Sequence, residues 1–284
     1  MLLSLSDAQD FFRLIKLLDA WFQSRLLRYP GITLQEIRDL RAAAFADPAH
    51  VRAYVSDNPD GLEQGELQTI AEWLEHGSAA RFLVYEHRKD GHLFSHHPEQ
   101  GSMKLYQVLG LTQSISEIVP VFPCYVQTRL LPFRDHIITD GIMAPVMMHF
   151  STRMARSFMD EVKEHIARYG IITRLPAEAA SAPDDAALLK HYLSTAANRR
   201  DYACQISDLR QQSAALNIQY LQQTGKQHSK ALKASLTGKG LTQGFFAVLE
   251  DTIITGAATK AAAATAAAEL VPPGLQDALV WIKL

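Results

Sequence analysis

The sequence predicts an α+β protein: N-terminal helices, a central small antiparallel β-sheet or partly open barrel, and a C-terminal helical region. Three observations carry this. Apolar residues recur at helical spacing through the first 77 positions. From Arg81 the pattern changes to short runs separated by turn residues. From Ala186 long helical runs return. The organisation expected is a helical region 1–77, a β-hairpin module with a closing helix 78–175, a linker 176–185, and a C-terminal region 186–284.

In chain order, Ser6 with Gln9 reads as an N-cap and its box partner, and Phe11, Leu14, Ile15, Leu18 and Phe22 form one helix face up to Pro30-Gly31. Thr33 with Glu36 repeats the capping signal, and Asp47-Pro48 starts a third, short helix. Asn58-Pro59-Asp60-Gly61 is a turn, and Leu67, Ile70, Trp73 and Leu74 share the face of a fourth helix that ends at Gly77.

Arg81–His87 and His92–His96 flank Asp90-Gly91, a hairpin signal. Lys104–Leu111 reads as a third strand and Ser114–Val119 as one or two helical turns. Tyr125–Leu131 and His136–Ile142 form a second hairpin around Phe133-Arg134-Asp135, and Val146–Phe150 a last strand. Helix returns at Ser151 with Met154, Phe158, Val162 and Ile166 on one face, ending at Gly170. Pro176–Asp185 has linker composition. Ala186 to about Gln223 reads as one or two long helices, and Leu241–Leu270 is Ala- and Gly-rich until Pro272-Pro273-Gly274 breaks it.

Charge and composition narrow the function classes. A net charge of −2 argues against a surface shaped wholly for nucleic acid, although local basic patches remain compatible with it. Two cysteines, Cys124 and Cys204, with no CxxC spacing point away from a disulfide scaffold or structural zinc and toward a reducing compartment. The N-terminus lacks a basic region, and Asp7 and Asp10 interrupt its apolar residues, so it does not read as a signal peptide. No apolar run reaches the roughly 18 residues of a spanning helix. Gly225-Lys226 lacks the rest of a P-loop, Gly238-Lys239-Gly240 with Gly244 has no preceding strand, and there is no GxSxG elbow.

Several residues at the middle of the chain carry a resemblance. Trp73-Leu74-Glu75-His76-Gly77, Tyr106-Gln107-Val108-Leu109-Gly110-Leu111, Leu130-Leu131-Pro132-Phe133, Ile137-Ile138, Asp140-Gly141 and Gly170-Ile171-Ile172 resemble a group of bacterial hypothetical proteins sharing a YxVLGL…LLPFxxxIIxDG hairpin core. The match runs from Glu66 to Pro176, about two fifths of the chain. Many members have Lys-Gly where this chain has Arg134-Asp135. The resemblance implies architecture and a bacterial setting, and brings no activity and no catalytic residue.

Four candidate sites follow from the residues themselves. Asp135, His136 and Asp140, with Glu86 and His87 on the same sheet, combine carboxylate and imidazole for metal or acid–base chemistry. Both aspartates also stand where turn chemistry places them. Glu161-Val162-Lys163 with Asp140 imitates a metal nuclease, but a helix points residues i and i+2 apart. Ser95-His96-His97-Pro98 pairs two imidazoles that a strand would face in opposite directions. Finally, Asp208 to Glu250 contains no acidic residue between its ends but holds Arg210, Lys226, Lys230, Lys233 and Lys239, a candidate contact for nucleic-acid phosphates or another anion.

The Ala-rich run also offers small residues at Gly256, Ala264 and Ala268, with Lys260 among them, on one stripe if helical. The function expected is a non-enzymatic binding or regulatory protein of the bacterial cytoplasm, in a mobile-element or defence locus. Its β-module recognises another protein or a second copy, and its C-terminal helices assemble it. No cofactor, resident metal or constitutive membrane span is expected. The alternatives are a nucleic-acid binder using 210–239, a metal-assisted hydrolase using His136 and Asp140, and a membrane-active effector using the Ala/Gly-rich helices.

Overall fold

The computed structural model describes residues 1–26, 33–88, 90–97, 103–119, 121–146, 148, 150–177 and 184–284, with backbone only for 86–88. Pro30-Gly31, Pro98 and most of the 176–185 linker lie outside the described residues. The chain divides into two compact units, Met1–Ser181 and Ala182–Leu284. The helical region and the β-module therefore belong to one unit.

The first unit opens with α1 (Leu5–Leu26), α2 (Leu34–Ala46), α3 (Pro48–Asp57) and α4 (Gln64–His76). The Thr33–Glu36 capping box and the Asp47 cap with Pro48 stand as the sequence expects, and α3 ends on a left-handed Asn58 at the head of the expected turn. The start of α1 differs: Ser4 rather than Ser6 caps it, its Oγ accepting from the Asp7 N–H at 3.1 Å and donating to the Asp7 carboxylate at 2.7 Å. A carboxylate three residues on completes that cap better than Gln9 could.

The strands follow as β1 (Ser78–Arg88), β2 (Gly91–His96), β3 (Lys104–Leu109), β4 (Cys124–Phe133), β5 (His136–Thr139) and β6 (Ala144–Val146), with α5 (Ile115–Ile118) between β3 and β4. The last strand, β6, ends at Val146; of the 146–150 the sequence suggests, residues 147 and 149 lie outside the described residues. Strand order is β1-β2-β3-β5-β4-β6, and β1 also pairs with β4, which closes five strands into a ring. All pairs are antiparallel except β3 with β5, so the sheet is mixed rather than purely antiparallel. This connectivity is that of a five-stranded Greek-key barrel of the OB type. At Gly91, φ is +142° and an added Cβ would stand 2.8 Å from the Val108 carbonyl, so the β1–β2 turn needs a glycine to come this close to β3.

Alternation along the strands separates three apolar clusters. Phe82, Val84, Phe94, Tyr106, Val108, Val126, Leu130 and Ile137 point into the barrel, and Ile115 and Val119 plug one end. On the outside, Leu131, Phe133 and Ile138 pack against α1–α4. There the Trp73 indole is fully buried, donates to the Pro132 carbonyl at 2.9 Å and meets the Phe11 ring edge-on at 5.4 Å. Also outside, Leu83, Tyr85, Leu93 and Leu105 pack against α6 (Thr152–Tyr169) through Val162 and Phe158.

The second unit contains α7 (Asp185–Tyr192), α8 (Ala196–Asp201), α9 (Ala203–Gln212), α10 (Ala214–Gly238), β7 (Phe245–Leu249), β8 (Thr252–Ala257), α11 (Lys260–Leu270) and β9 (Val280–Lys283). In place of the one or two long helices expected over 186–223 there are three short ones, and the long α10 starts only at Ala214; the sheet β8-β7-β9 takes up part of the Ala- and Gly-rich stretch and is an addition to the expectation. Gly256 lies in β8 because the Phe246 ring covers it; a Cβ there would fall 2.4 Å from that ring. The small-residue stripe through Gly256, Ala264 and Ala268 is thereby dissolved, since Gly256 is not helical and α11 buries Ala263 and Ala267 instead.

Tyr85 is 2% exposed, and burial pushes its hydroxyl up to about 12. A phenol whose folded value lies above its unfolded value of about 10 stabilises the fold fully below pH 10, and that contribution is lost as pH rises toward 12. Urea unfolding across this window is expected to show wild type losing roughly 3 kcal/mol more than Tyr85→Phe; parallel losses in the two proteins refute the assignment.

Candidate functional site

The outer face of the barrel is left open between its two helical covers. Along β1 and β4, Ala79 stands opposite Arg129 and Arg81 opposite Gln127. Their neighbours Phe82, Val126 and Leu130 point into the barrel, so these four side chains point out. Alanine at 79 leaves room beside Arg129. On α2, Arg38 and Arg41 lie three residues apart on one helix face. Together with Asp140 and Ile142 these elements enclose a cavity of about 330 Å³ lined by four arginines, Arg38, Arg41, Arg81 and Arg129. This concentration occurs in a unit with more acidic than basic side chains overall.

The four arginines have different environments. Arg41 is 7% exposed and grips Asp19 with both sides of its fork, Nε to Oδ1 at 2.8 Å and Nη2 to Oδ2 at 2.7 Å. Its Nη1 donates to the Asp140 carbonyl at 2.5 Å and lies 3.5 Å from the Asp140 carboxylate. Burial works against the Arg41 charge, and Asp19 and Asp140 more than offset it, so its pKa lies above the ordinary arginine value. Burial likewise pushes the Asp140 carboxyl up, against the pull of Arg41 and of the Ile142 N–H, which donates to it at 3.2 Å. This cluster ties α1, α2 and the end of β5 together.

Arg129 is half-buried, with its guanidinium 4.3 Å above the Phe45 ring. Among the described residues it makes no side-chain hydrogen bond or ion pair. Burial lowers its pKa, only partly countered by Asp140. Arg81 is exposed and likewise makes neither contact among the described residues, while half-buried Arg38 lies 3.7 Å from the exposed Asp39. Arg81 and Arg129 thus present donors to the cavity that no described residue takes up, and Arg38 adds those that its contact with Asp39 through Nε leaves over.

The residues singled out from the sequence are dispersed. Asp135 is exposed at the hairpin tip, 3.3 Å from Arg174, and His136 is exposed at the start of β5. Asp140, by contrast, is buried against Arg41. Four strand residues place His136 and Asp140 about 13 Å apart along β5. The side chains of Glu86 and His87 are outside the described residues. Glu161-Val162-Lys163 is helical, as expected, with Val162 buried and Lys163 paired to Asp160. His96 packs on Phe82. Among the described residues no three His, Cys, Asp or Glu side chains are grouped to hold a metal.

In the second unit, Arg210 lies over the Tyr220 ring and donates to Asn217. Lys226, Lys230 and Lys233 share one exposed stripe of α10, Lys233 donating to the Lys283 carbonyl, while Lys239 caps the helix on another side. The cavity arginines escape a sequence reading because three separate elements supply them. One signal was available: Arg41 sits on the apolar face of α2 between Leu40 and Ala44.

Comparison of the chain with protein-family models, curated proteins and solved structures gives no match. The barrel topology therefore rests on strand connectivity, and function must be argued from the site.

Removing Arg41 would strand two buried carboxylates. Arg41→Ala is expected to cost about 3–5 kcal/mol in urea unfolding, whereas Arg81→Ala, exposed and unbonded, is expected to change stability by about 0.5 kcal/mol or less. Equal effects of the two substitutions refute this division of roles.

Proposed function

We propose that the chain is a non-enzymatic binding protein that takes up a small anionic ligand in the arginine-lined cavity of its first unit. The observation that carries this reading is Arg129: a half-buried guanidinium, stacked on Phe45, without a hydrogen bond or ion pair among the described residues. A partly desolvated guanidinium whose donors are unsatisfied is costly, and an anion would accept from them. Arg38 and Arg81 reach the same space from other elements. The lining favours binding over chemistry: Thr128 Oγ1 is engaged with the Ile142 carbonyl at 2.8 Å and Asp140 with Arg41.

Barrels of the OB type bind oligonucleotides on the outer face of β2 and β3. Here α6 covers that face through Val162 and Phe158, so the topology lends no support to an oligonucleotide there. The bacterial setting belongs to the proposal through the resemblance of residues 66–176, and the mobile-element or defence locus only as the general setting of proteins without a housekeeping signature. The two free cysteines support a reducing compartment. Among the described residues no helix is long and apolar enough to cross a membrane.

Calorimetric titration at low salt with inorganic phosphate, sulfate and citrate tests the reading. Saturable binding of at least one anion is expected, weakened about tenfold or more in Arg129→Ala, since a charge-assisted hydrogen bond contributes roughly 1.5–3 kcal/mol. No saturable binding by any of the three removes it.

A second reading has its own observation, the stripe Lys226, Lys230 and Lys233 on an α10 that contains no acidic residue. Three lysine–phosphate contacts with duplex DNA predict a salt dependence of log affinity with slope about −2.7, becoming shallower by about 0.9 for each lysine replaced by alanine. Fluorescence anisotropy with a labelled duplex measures it, and an absence of binding at low salt rules the stripe out as a nucleic-acid contact.

A further inference from the structure

We infer that the ligand of the arginine cavity is a small phosphate monoester with a non-aromatic body. This inference rests on the anion-binding reading above and narrows it to one chemical class.

The number and direction of the free donors identify the charged group. Arg41 spends its fork on Asp19 and Asp140, which leaves Arg38 from α2, Arg81 from β1 and Arg129 from β4. A carboxylate is planar and matches a single fork lying in its own plane. A phosphoryl group is tetrahedral, carries up to two charges and offers three oxygens, so it can accept from guanidinia arriving from three elements. Arg81 and Arg129 are diagonal neighbours across the β1–β4 pair, about 7–8 Å apart at their backbones, with long side chains that can converge on one group.

The remaining space identifies the body. A cavity of about 330 Å³ is several times larger than a phosphate ion needs and lies at the lower end of small-molecule sites. Ala42, Ala79, Ala80 and Ile142 supply short apolar walls, and the Gln127 amide can serve a hydroxyl. No aromatic side chain is among the described lining residues, so stacking on a nucleobase would fall to the guanidinia that the phosphate itself needs. Asp140, held at the most buried side with Arg41, repels a second anionic group, which favours a monoester with a single charged end.

The test is calorimetric competition on the full-length protein among four probes: glycerol 3-phosphate, inorganic phosphate, glycerate and adenosine 5′-monophosphate. Glycerol 3-phosphate is expected to bind at least tenfold tighter than either inorganic phosphate or glycerate, and no weaker than the adenosine nucleotide. Arg38→Ala and Arg81→Ala are each expected to lower its affinity about tenfold or more, with an unchanged urea midpoint reporting an intact fold. Glycerate binding as tightly, inorganic phosphate binding as tightly, or the nucleotide binding tighter would each overturn the ligand class while leaving anion binding at the cavity standing. No binding by any probe overturns both.

Discussion

Closure of the barrel by the pairing of β1 with β4 is the constraint on which the first unit depends. Seven successive residue pairs, Ser78 with Leu130 through Val84 with Cys124, join the first strand to the fourth. A slip of one residue would exchange the inner and outer sets of side chains. Slipping β1 would turn Phe82 and Val84 out of the barrel and Arg81 into it, and slipping β4 would turn out Val126 and Leu130 and bring in Arg129. The hydrophobic interior therefore fixes where the arginines stand, at no cost of its own to the site. The same register aligns Leu131 and Phe133 beneath Trp73 and Phe11, so the helices dock on the barrel in one position.

Electrostatics within the cavity divides into a part that holds the fold and a part left open. Arg41 has both carboxylates it needs, and its value to the fold lies chiefly in preventing two buried charges from standing alone. Arg129 is oriented by a ring rather than by a counter-ion. A cation over an aromatic face is worth roughly 0.5–2 kcal/mol, enough to hold a side chain in place but less than a charge-assisted ion pair can supply. The balance leaves a preorganised cation whose missing interaction is the one an anion makes. Arg134, at the tip of the β4–β5 hairpin, contrasts with it: Asp7 and Asp10 of α1 take up its guanidinium at 2.6 Å and 2.8 Å, and it serves docking alone.

The second unit is organised by close approach. Gly225 of α10 faces Val280 of β9, and an added Cβ there would come within 3.0 Å of it. Ala263 and Ala267 of α11 bury themselves completely beneath the small sheet. Small residues serve here to bring helices onto strands rather than helices onto helices. Lys226 and Lys230 of α10 are exposed, and Lys233 reaches the Lys283 carbonyl at the end of β9.

Much of this architecture is local and therefore legible in sequence. The Thr33–Glu36 capping box, the Asp47-Pro48 start, the Asp90-Gly91 turn and the helical period of α4 and α6 each depend on residues within a few positions of one another. The β7–β8 hairpin was hidden because its turn, Glu250-Asp251, carries no glycine or asparagine and its strands lie in an Ala- and Gly-rich stretch; only Thr252-Ile253-Ile254-Thr255 marked it. The weight placed on His136 and Asp140 came from proximity in sequence, which along a strand is distance in space. By itself, the sequence determined the helices and most of the strands of the first unit. Only the tertiary structure decided that the strands close into a ring and that Arg38, Arg81 and Arg129 face one cavity. Ring closure pairs residues nearly fifty positions apart, and no local pattern encodes which distant side chains that pairing brings together.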